Sequence, residues 1–221
     1  MAPIAKTAGG GTRAATPRQT EPGIVIPLRL ATTLQPGDRP ARVVLVVRGG
    51  EAKEPNFEFV QRTRAVGDVT YLLSPRGIDE TRWTQKNPPN YFPRSHVLLG
   101  RTVDTCRIWD VIAAARFLHA KYEGQLPVYV AGTGAASLLA AYAAFCESDV
   151  AGVIASQPPL THQGHDAPQL LNVLRVCDVP DVLGLLAPRS LAIDGVPAKA
   201  VEKVVAYYKS AGASDKLAIQ P

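Results

Sequence analysis

The residues best placed for chemistry lie at a glycine turn. Residues 128–144 read VYVAGTGAASLLAAYAA, an apolar strand, a tight turn and a small-residue helix. A turn at such a junction can lift a hydroxyl nucleophile above the sheet edge, or cradle a phosphate on the amides of the helix start. Set against a G-x-S-x-G template, the five positions are Gly132, Thr133, Gly134, Ala135 and Ala136. The apex is Gly134, which has no side chain to add to a carbonyl. The dinucleotide spacing G-x-G-x-x-G fails as well, because Ser137 stands where the third glycine belongs.

Other groups can be set beside this turn. Ser137 and Thr133 offer hydroxyls, but one turn into the helix and one residue before the apex respectively. His162, His165 and Asp166 form H-Q-G-H-D after a strand, which offers three metal-capable groups or simply a solvated loop. Asp194 closes a strand and is the nearest acid to a turn reading Gly195-Val196-Pro197-Ala198. A relocated hydrolytic set would use Thr133 or Ser137 as nucleophile, His162 or His165 as base and Asp194 as acid. Cys106, Cys146 and Cys177 are far apart and contain no CxxC pair, which favours free thiols. Arg48, Gly49, Gly50, Arg76 and Trp83 fall beyond strand ends, where open α/β sheets bind ligands, and are read as the lining of a remnant cleft.

These groups need a scaffold, and the composition allows one. The chain has 221 residues, 46% of them hydrophobic, with 18 glycines and 19 prolines. That suits one α/β domain with many turns. Residues 1–22 hold little to bury and read as a flexible tail before a domain at 23–221. Strands are expected at 23–31, 42–47, 69–74, 128–131, 150–156, 190–194 and 216–219. Pro27 favours an edge position for the first of these. Ile108, Val111, Ile112, Ala115 and Leu118 keep the period of an amphipathic helix. Helices are also expected at 135–145 and 198–210, with short ones at 170–175 and 179–186. The alternation calls for a mostly parallel sheet of about six or seven strands, covered on both faces.

The net charge of +5 comes from scattered basic residues such as Arg62, Arg76, Arg94 and Arg107. Without a basic run or interleaved aromatics, nucleic-acid binding is not expected. No apolar run precedes Gly23 and none reaches the roughly 18 residues of a membrane span. A cytoplasmic, non-membrane protein is the expectation, with no metal or cofactor and with its oligomeric state open.

Five segments together resemble the acetyl xylan esterase-like and dienelactone hydrolase-like branch of the α/β hydrolases, close to the prolyl oligopeptidase-type domain. VVLVVRGG (43–50) resembles the strand leading to its oxyanion loop, and YLLSPRG (71–77) its strand ending in D-x-R-G. LLGRTVDTCRIWDVIAAARFL (98–118) resembles its helix with R-x-W-D. YVAGTGAASLLAAYAA (129–144) covers the nucleophile elbow, and LLAPRSLAIDG (185–195) the strand near the acid. The resemblance implies a three-layer α/β-hydrolase sandwich. It also implies departures: Arg48 stands for the oxyanion-loop histidine and Gly134 for the serine. The acid loop has no carboxylate unless Asp194 substitutes, and the base would follow the last strand. The expectation is a catalytically degenerate hydrolase homologue acting as a binding or accessory module for a small molecule or protein. A working ester hydrolase or peptidase with relocated groups, and a structural or interaction domain without ligand, are the alternatives.

Overall fold

Strand β3 (Arg42–Val47) shows why a covered sheet forms. Val43 through Val47 are all buried. Alternation sends Val43, Leu45 and Val47 to one face and Val44 and Val46 to the other, where they join separate cores. A strand apolar on both sides belongs inside a parallel sheet. The computed structural model, which describes residues 16–32, 34, 37–49, 63, 65–83 and 91–220, places it there.

The other strands are β1 (Thr16–Glu21), β2 (Ile24–Leu30), β4 (Asp68–Leu73), β5 (Val128–Thr133), β6 (Val150–Ser156), β7 (Ser190–Asp194) and β8 (Leu217–Gln220). Their order is β1-β2-β4-β3-β5-β6-β7-β8. The pairs β1·β2 and β2·β4 are antiparallel and every other pair is parallel. Helices α1 (Tyr91–Leu98), α2 (Val103–Lys121), α3 (Ala135–Cys146), α4 (Val179–Gly184) and α5 (Ala198–Ser210) complete a three-layer α/β sandwich. The larger core takes Ile108, Val111, Ile112, Ala115 and Leu118 from α2, as their period requires, with Leu138 from α3 and Tyr208 from α5. The smaller core, on the opposite face, holds Val44, Val46, Ala131 and Ile154.

The sheet has eight strands rather than six or seven, and the added one is β1. Residues 1–15 of the expected tail lie outside the described residues. Thr16–Glu21 is a strand paired with β2, so β2 is second from the edge despite Pro27. Pro27 faces Pro17 across that pair, so at this position neither residue has an amide proton to offer. The segment at 170–175, expected to be a short helix, holds only a 3-10 turn at Val173–Arg175.

What holds β1 comes from far along the chain. Asp110, fully buried on α2, accepts hydrogen bonds from Arg76 N–H (3.0 Å), Arg76 Nε (2.9 Å), Arg76 Nη2 (2.6 Å) and Thr20 Oγ1 (2.7 Å). Arg76 Nη2 also reaches Glu21 at 3.3 Å, Trp109 Nε1 donates to Thr20 O at 3.0 Å, and Arg107 Nε donates to Arg76 O at 3.1 Å. Burial works against the Arg76 charge, yet the hydrogen bonds to Asp110 outweigh it and hold the guanidinium above its ordinary value. Removing one partner would strand a buried charge, which costs about 3–5 kcal/mol. Asp110→Ala is therefore expected to lower the unfolding free energy by about that amount. Urea denaturation of the variant beside the parent chain checks it, and a loss below about 1 kcal/mol would contradict it.

Candidate functional site

The turn after β5 follows from two glycines with different reasons. At Gly132 an added Cβ would lie 2.5 Å from the backbone of Ala136, so α3 can start this close to β5 only over a glycine. Gly134 has φ 57° and ψ −131°, a conformation that costs a side-chain-bearing residue about 1–3 kcal/mol. Around its Cα there is room, since an added Cβ would meet nothing within 4 Å. Its N–H donates to Ser156 O at 2.9 Å, tying the turn to β6. Gly49, after β3, stands against the first turn of α3, where an added Cβ would be 3.8 Å from Ala136 Cβ.

The expected alternatives are placed as follows. Ser137 is fully buried and its Oγ donates to Gly134 O at 2.6 Å, so the hydroxyl serves the helix start. Thr133 is half-buried at the end of β5. His162 is engaged at both ring nitrogens, with Tyr142 Oη 2.8 Å from Nε2 and Pro168 O 3.2 Å from Nδ1. The neutral ring satisfies both when Nδ1–H donates to the carbonyl and Nε2 accepts from the phenol. Burial and the neighbouring Cys177 push the Tyr142 phenol above its ordinary value, which keeps that proton on Tyr142. Tyr142 stands two turns into α3, roughly 10 Å along the helix from Ala135. His165 is exposed. Asp194 ends β7 beside Ser156 of β6 and Gln220 of β8, and its Oδ1 is buried without a hydrogen-bond partner. Among the described residues, no three of His, Cys, Asp or Glu stand together as metal ligands.

Of the residues expected to line a remnant cleft (Arg48, Gly49, Gly50, Arg76 and Trp83), those that are described have the following neighbours. Arg48 Nε lies 3.0 Å from Asp79 Oδ2, which also accepts from Ser74 Oγ at 2.7 Å. Arg76 is buried in its pair with Asp110. Trp83 covers Gly77 and stacks on Phe92 with ring centres 4.6 Å apart. Gly50 lies outside the described residues. A cleft of about 300 Å³ is found elsewhere, lined by Val97 on α1, Thr102, His162 and residues 168–175. The sequence carried a sign of it in Leu170, Leu171, Val173, Leu174 and Val176, too apolar for the surface loop they occupy.

No family profile matches this sequence, and no curated relative does either. Solved structures do. A candidate acetyl xylan esterase from Bacteroides fragilis superposes with TM-score 0.66 at 13% identity, over 98% of this chain and 68% of its own. A candidate carboxylesterase from Lactobacillus plantarum gives 0.61 at 10% identity, over 95% and 88%. A sugar hydrolase from Lactococcus lactis gives 0.57 at 14%, over 95% and 82%. The chain has the α/β-hydrolase fold. No described helix is long and apolar enough to cross a membrane.

The two glycines of the turn are expected to respond differently to substitution. Gly132→Ala forces backbone against backbone and should cost about 3 kcal/mol. At Gly134 an added Cβ meets nothing within 4 Å, so Gly134→Ala and Gly134→Ser should cost less, the conformational strain of about 1–3 kcal/mol. For a chain of this size each kcal/mol lowers the melting temperature by about 2–4 °C. Thermal melts of the three variants check the order.

Proposed function

We propose that this chain is a catalytically degenerate α/β-hydrolase-fold protein that serves as a non-hydrolytic binding or accessory module. The observation that carries the reading is Gly134. It occupies the apex of the strand–turn–helix where a G-x-S-x-G hydrolase presents its serine, with the strained backbone of that turn and open space for a side chain. The frame of a nucleophile is kept and the nucleophile is absent.

The rest of the acid–base apparatus supports the same reading. The chain has four histidines. His96 Nδ1 pairs with Phe92 O, His119 with Asp149 at 3.3 Å, and His162 with Tyr142 and Pro168 O, while His165 is exposed. Ser137 Oγ donates its hydrogen bond to the backbone carbonyl of Gly134. A hydroxyl without a base to take its proton is a poor nucleophile at neutral pH. The feature that favours the alternative, a hydrolase with relocated groups, is the unpartnered Asp194 Oδ1, an acid that lacks a base to orient.

The purified chain is expected to turn over neither p-nitrophenyl acetate nor acetylated sugars above a heat-denatured control. Gly134→Ser should be equally inactive, because one hydroxyl returns to a site without base or oriented acid. Saturable hydrolysis that survives repurification, in either protein, would overturn the reading.

A further inference from the structure

The cleft between α1 and residues 168–175 shares no lining residue with the glycine turn. Its rim is unusual for a protein surface. Val97, Leu171 and Leu174 line it while 46–50% exposed, and Leu98, Leu99 and Val176 beside them are 76–87% exposed. Helix α1 buries none of its residues. Large apolar side chains gathered at a concavity mark a binding surface.

Among the described residues, the charges carried by the two segments that line the cleft have one sign. Arg94, one helical turn before Val97, Arg101, next to Thr102, and Arg175, in the lining, are all exposed, and among the described residues none forms an ion pair. Residues 91–103 and 167–177 contain no Asp or Glu. Of the carboxylates that flank these segments, Asp166 is exposed, and Asp104 and Asp178 are already engaged. Asp104 accepts from Arg107 at 3.0 Å and from Gln169 N–H at 2.8 Å. Asp178 accepts from Thr161, His162 N–H and Val179 N–H at 2.7–2.8 Å.

We propose that this cleft binds a single-chain anionic amphiphile, a fatty carboxylate, with its chain on the leucines and its head group among the arginines. A neutral apolar ligand leaves the three cations unused, and a cationic one is repelled by them. About 300 Å³ is the lower end of small-molecule sites, which fits one chain rather than a two-chain lipid. The inference goes beyond the loss of hydrolysis. Because the cleft stands apart from the glycine turn, either statement can fail alone.

Calorimetric titration with dodecanoate below its micellar range tests it, with dodecanol and dodecyltrimethylammonium as comparisons. Saturable binding of dodecanoate is expected, about tenfold or more tighter than the ammonium. Arg175→Glu should weaken it roughly threefold to tenfold and lower its salt sensitivity. Leu171→Asp should abolish it. Both positions are exposed, so melting temperatures near that of the parent chain are expected, and Arg175→Gln and Leu171→Ser serve if either charge reversal unfolds the protein. No saturable binding, equal binding of the ammonium, or affinity unchanged in the variants would overturn the inference. So would sedimentation with phosphatidylglycerol vesicles without binding of dodecanoate, which would assign the surface to a membrane. Ester turnover is measured on the same preparation. Turnover with dodecanoate binding refutes the non-hydrolytic reading alone, and its absence without binding refutes the amphiphile site alone.

Discussion

The carboxylate of Asp110 is the constraint on which the rest of the structure depends. It is fully buried on α2 and collects four donors from two other segments, the turn after β4 and strand β1. A buried ion pair adds little net stability over an apolar replacement, because desolvation consumes most of its attraction. Its effect is geometric. α2 can dock on the sheet in only one rotation and one height if Asp110 is to meet both the Arg76 fork and the Thr20 hydroxyl. Trp109 and Arg107, one residue before and three residues before Asp110, then reach Thr20 O and Arg76 O. The R-I-W-D segment and the P-R-G segment are therefore two halves of one contact.

That contact also explains what could be read in the sequence and what could not. Local patterns were sufficient for β3, whose unbroken run of β-branched and leucine residues needs two apolar faces, and for α2, whose period puts five apolar residues on one side. They were sufficient for the β5–α3 turn, because a glycine needed for close approach leaves a short spacing. They failed at β1. Thr16–Glu21 is polar and proline-bearing, and the groups that order it are the side chains of residues 76, 109 and 110. Arg76 was misread for the same reason: an arginine after a strand looks like a cleft residue until its partner, 34 positions away, is known. The apolar run at 170–176 marks only one wall of the cleft at 168–175; that α1 supplies the other is a juxtaposition that no local pattern encodes.

The carboxyl edge of the sheet carries a second regularity. Asp79, Gly134 and Gln157, which follow β4, β5 and β6, all have positive φ, at 48°, 57° and 47°. Two of the three are not glycine, so the edge holds conformations that side chains disfavour. Each is fixed by a neighbour: Asp79 by Ser74 and Arg48, Gly134 by Ser156 O, Gln157 by Asp194 O. The backbone of this edge is thus held by hydrogen bonds between adjacent strand ends, which at Gly134 and Gln157 run from main chain to main chain and are independent of side-chain identity.

Gly132 gives this independence a longer reach. Its contact with Ala136 is a demand of packing between strand and helix, and it operates whatever residue stands two positions on. A Cβ at the apex therefore meets no packed neighbour, while one at Gly132 presses on the backbone of the helix start. Shape at this junction is thus set by packing, and chemistry there has to be established residue by residue.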